Sequence, residues 1–247
     1  MAKNKLVIKN LSMKYKDTYA IRNLSLKVEE GEIYGFLGPN RAGKTTTINI
    51  SSGLMLPTEG NVFICGKSII DNPKQAKEKF ALIPDHPDLY PYMSPVDYIS
   101  FLVSIYDLEP ETTFQKADEY FKEFELFDAR TKIIDSFSLG MKQKLIFISA
   151  FIRDPEVIII DEPMVGVDPL SAQKLKKELK NKANNGASIF MSTHILDIAS
   201  QLCDRISIIN KGKIVNTGTL EDLSKKANLG NSDLERIFIK LTSERDN

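Results

Sequence analysis

Hydrophobic positions along the chain follow a strand-like spacing at both ends and a helical one in the middle. Near the start, Leu6-Val7-Ile8 and Ala20 to Val28 form short β-like runs separated by a polar turn at Lys14 to Thr18. A third run, Glu32 to Leu37, leads into the glycine-bearing segment Gly38 to Thr45, and a helical pattern follows to Gly53. Asn61 to Cys65 and Phe80 to Ile83 predict two more strands. Pro84, Pro87, Pro91 and Pro95 then punctuate a loop, because proline is poorly tolerated inside helices and central strands. Ser94-Pro95-Val96-Asp97 predicts a helix start, with serine as cap and proline at the first helical position. From there to Ile152 the apolar faces Phe101/Ile105, Tyr120/Phe121/Phe124 and Leu145/Ile148/Phe151 recur at helical spacing. After Pro155 the strands return. Val157 to Ile160 is continuously apolar, as a strand buried on both faces of a parallel sheet should be. A helix from Pro169 to Asn185, a strand Ser188 to Ser192, a helix Ile195 to Cys203 and a strand Arg205 to Asn210 follow, and the last thirty or so residues read as a short strand and two small helices. Strand and helix alternate on either side of a helical middle, which predicts an α/β fold with a mostly α-helical insertion.

Composition narrows the function. The 247 residues are 42% hydrophobic and 27% charged, an ordinary globular mix. Lys plus Arg number 33 and Asp plus Glu number 33, and this balance argues against a chain that coats nucleic acid. Two cysteines, Cys65 and Cys203, cannot build a disulfide framework or a four-ligand zinc site and suit a reducing compartment. No apolar stretch approaches the roughly 18 residues of a membrane span, and MAKNKLVIKN lacks the apolar region of a secretory signal. A soluble cytoplasmic chain is expected.

Gly38 to Thr45 fits G-x-x-x-x-G-K-[ST] without a gap, between a predicted strand and a predicted helix. Glycines let the backbone fold around phosphate oxygens, so that N–H groups and the helix N-terminus point at negative charge. Lys44 would reach the β and γ phosphates and the Thr45 hydroxyl would hold Mg²⁺. Such a site also needs a carboxylate at the end of a neighbouring strand. Asp161 supplies one directly after Val157 to Ile160, and Glu162 follows it. Side chains alternate along a strand, so the two acids should diverge, one toward the metal and the other toward the attacking water.

These motifs, in this order, resemble the nucleotide-binding subunit of an ATP-binding cassette (ABC) transporter over nearly the whole chain. The Walker A loop is Gly38 to Thr45, and the Walker B strand with its glutamate is Val157 to Glu162. Between them Ser138-Leu139-Gly140-Met141-Lys142-Gln143 looks like the family signature. Glu162-Pro163 and Gly166-Val167-Asp168-Pro169 look like the stretch leading through the D-loop, and Ser192-Thr193-His194 is similar to the switch-histidine segment. The resemblance implies a P-loop NTPase mixed sheet with an antiparallel β subdomain. Residues 1–84 and 153–218 would form the core and β subdomain, 85–152 the helical subdomain and 219–247 a short extension. It implies two copies, or this chain and a homologous ABC subunit, meeting head to tail around two ATP molecules. The nucleotide would lie on Gly38, Pro39, Asn40, Arg41, Ala42, Gly43, Lys44, Thr45 and Thr46 of one chain, with Ser138 and Gly140 arriving from the other. Tyr15 would stack on adenine, with Tyr19 as its rival. Glu162 would be the general base or water-orienting carboxylate, Lys44 and His194 would act on the γ-phosphate, and Thr45, Asp161 and Asp85 would address Mg²⁺.

Three positions depart from the family pattern. Arg41 replaces a frequent glycine, and its side chain either adds positive charge near the nucleotide or the opposing subunit, or points to solvent. Asp85 stands where glutamine is usual. Leu139 and Met141 replace a glycine and a glutamine of the signature. The resemblance further implies a separate integral membrane permease docked around Asp85 to Ser94, no nucleic-acid partner, and a peripheral position on the cytoplasmic face of the membrane. Phe80, Tyr90, Tyr92, Tyr98 and Phe101 give the docking region an aromatic cluster, which also suits an ordinary core. The segment Leu234 to Leu241 is similar to the tail of exporter-type subunits that handle drugs, peptides or antibiotics. The other readings are a nucleotide-sensing regulator with little turnover, and a translation or repair ATPase. Against the latter, only about a hundred residues separate Lys44 from Ser138, with no sustained heptads.

Overall fold

The computed structural model describes residues 3–164, 166–227 and 234–243. Its strands and helices run β1 (Asn4–Tyr15), β2 (Thr18–Glu29), β3 (Ile33–Leu37), α1 (Lys44–Ser51), β4 (Glu59–Ile64), β5 (Lys67–Ser68), α2 (Pro73–Lys77) and β6 (Phe80–Ile83). Then come α3 (Pro95–Tyr106), α4 (Pro110–Glu123), α5 (Leu139–Phe151), β7 (Val157–Asp161), α6 (Pro169–Asn184), β8 (Ser188–Thr193), α7 (Leu196–Leu202), β9 (Arg205–Asn210), β10 (Lys213–Gly218), α8 (Leu220–Lys226) and α9 (Leu234–Ser243).

Two sheets carry the fold. β2-β1-β4-β5 form an antiparallel sheet, and β10-β9-β3-β8-β7-β6 form a mixed one whose β9, β3, β8, β7 and β6 are mutually parallel. β3, β7 and β8 are buried at every residue, which explains their unbroken apolar runs. Alternate residues of β7 face opposite cores. Val157 and Ile159 pack with the antiparallel sheet and α1, whereas Ile158 and Ile160 pack with the helical insertion. Leu37, Ile206 and Ile208 meet Leu223, Leu234 and Ile237 in a third cluster.

The helical middle is built of three helices, α3, α4 and α5. Ser94 caps α3 by accepting from Asp97 N at 3.2 Å, and the Asp97 carboxylate accepts from Ser94 N at 3.2 Å. Asp107 ends α3 in a left-handed conformation at φ 51°, and Pro110 opens α4 under a Glu109 cap. Among the described residues no helix is long and apolar enough to cross a membrane. Residues 228–233 and 244–247 of the expected C-terminal extension lie outside the described residues.

Candidate nucleotide site

Parallel pairing places the carboxyl ends of β3, β8, β7 and β6 side by side, the edge of such a sheet where ligands bind. The register sets Leu37 beside Thr193 and Asp161 beside Ser192. The loop after β3, His194 after β8 and Glu162 after β7 therefore share one edge of the sheet.

The loop from Gly38 to Gly43 must turn sharply into α1. Gly43 sits at φ 108°, and a Cβ there would lie 2.7 Å from the Ala20 carbonyl oxygen, so only glycine fits. α1 begins at Lys44 with no side-chain cap and no acidic residue in its first turn, which leaves its amino end suited to an anion. Lys44 is buried. Its Nζ donates to the carbonyls of Gly38 at 2.8 Å and Pro39 at 3.2 Å and stands 3.7 Å from Glu162 Oε1.

Glu162 adopts φ 51°, a left-handed conformation that costs a non-glycine residue on the order of 1 kcal/mol. Its Oε2 lies 2.9 Å from His194 Nδ1 and accepts from the His194 backbone N–H at 3.4 Å. The carboxylate is thereby held between Lys44 and His194. Asp161 is buried, and its Oδ1 accepts from the Ser192 hydroxyl. Burial raises its pKa above the ordinary carboxylate value, while hydrogen bonds from Ser192 and Thr45 oppose that shift.

Asn40, Arg41, Gly43, Lys44, Thr45 and Thr46 line a cavity of ≈ 540 Å³, and Asp85, Glu162 and His194 line it too. That volume lies within the usual range for a small-molecule site. Asp85, after β6, pairs with His86 Nδ1 at 3.0 Å. Among the described residues no three His, Cys, Asp or Glu side chains are placed to hold a metal on their own. Magnesium, however, characteristically takes one or two protein ligands, substrate phosphates and water, so Thr45 and Asp161 beside the P-loop fit that ion.

The remaining expected residues stand outside this cavity. Tyr15, 46% exposed, donates its hydroxyl to Met55 Sδ at 3.1 Å. Tyr19 already lies under the cations of Lys14 and Arg22, at 5.6 and 5.2 Å from the ring centre. Ser138 caps α5 by accepting from Met141 N at 3.3 Å. Gly140 packs against the loop after β7, where a Cβ would meet the Gly166 carbonyl oxygen at 2.6 Å.

Sequence reasoning missed several neighbours. Ala20 and His86 line the cavity; Ala20 carries no signal, and His86 was legible only as the neighbour of Asp85. Lys144, nearly buried, reaches Asp168 at 3.1 Å and so ties α5 to the start of α6. Gln143 is buried beside it, with Nε2 3.5 Å from the Pro84 carbonyl.

This geometry can be set beside known proteins. The ABC transporter family model matches residues 21–165. The chain is 34% identical to the ABC-type transporter ATP-binding protein EcsA of Bacillus subtilis, covering 97% of each. It is 36% identical to the SkfA peptide export ATP-binding protein SkfE of the same organism, covering 84% of this chain and 86% of that one. A solved ATP binding subunit of an ABC transporter superimposes with a TM-score of 0.92 at 33% identity, covering 96% of this chain and 98% of that one. A dimeric post-hydrolysis ATP-binding cassette bound to ADP and Pi superimposes at 0.79 with 25% identity, covering 87% of this chain and 98% of that one. A family model matched over more than half of the chain and relatives above 30% identity over nearly all of it show that the chain belongs to the family of ABC transporter ATP-binding proteins.

Proposed function

We propose that this chain is the ATP-hydrolysing half of a two-copy motor that drives export through a separate membrane permease. The observation that carries the reading is the placement of Glu162 in the cavity, held between Lys44 and His194. Lys44 and the amino end of α1 bind the phosphates. Thr45 and Asp161 would hold Mg²⁺, with Asp85 nearby, and the ion would supply charge neutralisation for the phosphates. Glu162 orients or deprotonates the attacking water, and His194 fixes the Glu162 carboxylate and addresses the γ-phosphate. Tyr15 offers its ring face to adenine. Ser138 and Gly140, at the amino end of α5 and outside their own cavity, serve the nucleotide of the second copy.

Residues 85–152 act as a helical subdomain, and its surface supports a docking role. The rings of Tyr90 and Phe101 meet edge-on at 5.3 Å, while Tyr92 beside them is 87% exposed. Aromatics of this kind are enriched at interfaces; Phe80, by contrast, is buried in the core. The permease would hold the chain at the cytoplasmic face of the membrane. The export direction is supported by relatives named for peptide export and for linearmycin resistance.

Glu162→Gln tests the reading. The variant should keep ATP binding, lose roughly 10²–10⁴-fold in turnover, and accumulate as an ATP-dependent dimer in size-exclusion chromatography. Turnover equal to the parent would remove Glu162 from the reaction.

A further inference from the structure

Arg41 combines a strained backbone with an unused charge. It sits at φ 65°, in the left-handed region where glycine is relaxed and a long side chain is not. Its guanidinium makes no hydrogen bond or ion pair among the described residues. Yet it lines the same cavity as Lys44, Glu162 and Asp85. Turn residues such as Lys16 and Asp107 share this backbone conformation, so the pointer to a ligand is the unpartnered guanidinium on the loop that lines the cavity.

The fixed charges around the cavity define that work. Lys44 already faces Glu162 at 3.7 Å, and Asp85 brings a second carboxylate, whose ion-pair partner among the described residues is His86 at 3.0 Å. Without Arg41, one cation would face these two carboxylates and the buried Asp161 while a polyanion enters. Resting on the reading of this cavity as an ATP site, we infer that Arg41 determines nucleotide affinity: its guanidinium engages the phosphates and offsets the repulsion exerted by Asp85. The two residues are a matched pair of opposite charges, one on the P-loop and one on the loop after β6.

The test is a calorimetric titration of the full chain with ATP in EDTA, where no metal can turn the Asp85 carboxylate into an attraction and no turnover occurs. Arg41→Gly should bind ATP about ten-fold more weakly, the size of a partly exposed charge-assisted contact. Arg41→Lys should recover part of the loss. Asp85→Asn should bind more tightly than the parent, and the double variant Arg41→Gly/Asp85→Asn should return to within about threefold of it, because two independent charges add. In about 1 M salt, where screening acts over about 3 Å, the Arg41→Gly deficit should shrink. The melting temperature of Arg41→Gly should not fall, since glycine relaxes φ 65°.

Affinity for ATP unchanged in Arg41→Gly overturns the inference. So does a loss of affinity accompanied by a lower melting temperature, which would make Arg41 a structural residue. Weaker binding by Asp85→Asn removes the opposition between the two. A distinct failure, in which the parent and Lys44→Ala respond identically to ATP, would overturn the nucleotide site itself.

Discussion

Gly140→Ala adds one methyl group where α5 meets the loop after β7. The new Cβ would lie 2.6 Å from the Gly166 carbonyl oxygen, well inside van der Waals contact, so something has to move. α5 cannot yield, because every residue from Gln143 to Phe151 is buried. The loop must move instead, and its ends are Glu162 in the cavity and Asp168, which caps α6 by accepting from Ser171 N at 2.9 Å. Two stability terms oppose each other. Alanine favours a helix over glycine by about 1 kcal/mol, while overpacking costs about 1–3 kcal/mol. The net loss is thus at most about 2 kcal/mol, or a fall in melting temperature of no more than about 8 °C at this size. Turnover is far more sensitive, since a displacement on the order of 1 Å in a catalytic group can cost about 10²-fold. The expected result is a roughly hundred-fold drop in kcat by phosphate release, with modest change in calorimetric Tm and unchanged ATP affinity of the monomer. Placed on Glu162→Gln, the change should still permit the ATP-dependent dimer, which separates loop displacement from obstruction of the second copy. Turnover within twofold of the parent would refute the claim that Gly140 positions the Glu162 loop.

Two other perturbations address the ties between layers. Lys144→Met keeps the aliphatic stem and releases Asp168, whose side chain is about half exposed, so the stability loss should stay below about 1 kcal/mol. Hydrogen bonds from Ser171, then the ammonium of Lys144, hold the Asp168 carboxyl well below the usual carboxylate range, and its pKa followed by NMR should rise in this variant; an unmoved value would deny the contact in solution. Glu156 joins Lys5 of β1, at 2.5 Å, to Lys79 before β6, at 3.0 Å, and the two hold its pKa at about 2. A depressed carboxylate pKa stabilises the fold above the unfolded value near 4.5, and this contribution disappears as pH falls toward 2. Glu156→Gln should therefore cost about 1–2 kcal/mol at pH 7, reduced by solvent screening at a side chain about one-third exposed. In urea unfolding the gap to the parent should close between pH 5 and about pH 2–3; a constant gap would assign the loss to packing.

The parts of the fold that the sequence announced are those where one physical demand dominates. Ile33–Leu37, Val157–Asp161 and Ser188–Thr193 are buried at every residue, so their middles are apolar and their polar residues fall at the ends, and the G-x-x-x-x-G-K-T segment follows the first of them. Elements shaped by distant partners were less legible. β1 and β2 are each twelve residues long, longer than their apolar runs suggest, because register shifts let their exposed ends keep pairing. β5 and the five-residue α2 are too short to develop a period. In the site, the acid pair was legible from its place after an apolar strand, but the left-handed turn at Glu162 was not. Nor was the tie between Lys144 and Asp168, which are far apart in sequence and meet only because α5 and α6 flank β7.

The order of strands explains why Ser138 stands apart from the cavity of its own chain. Between β6 and β7, neighbours in the sheet, the chain leaves through α3, α4 and α5 before returning. That excursion carries Ser138 and the amino end of α5 beyond the cavity that Asp85 and Glu162 line. It also seats α5 against the loop that follows β7, through Gly140 on Gly166 and Lys144 on Asp168. On the proposed function, a second copy that engages Ser138 would push on an element packed against the segment carrying Glu162. Each nucleotide would then be coupled to the carboxylate of the opposite site, and cutting the contacts of Gly140 with Gly166 and of Lys144 with Asp168 should leave both cavities able to bind ATP while abolishing their cooperation in turnover.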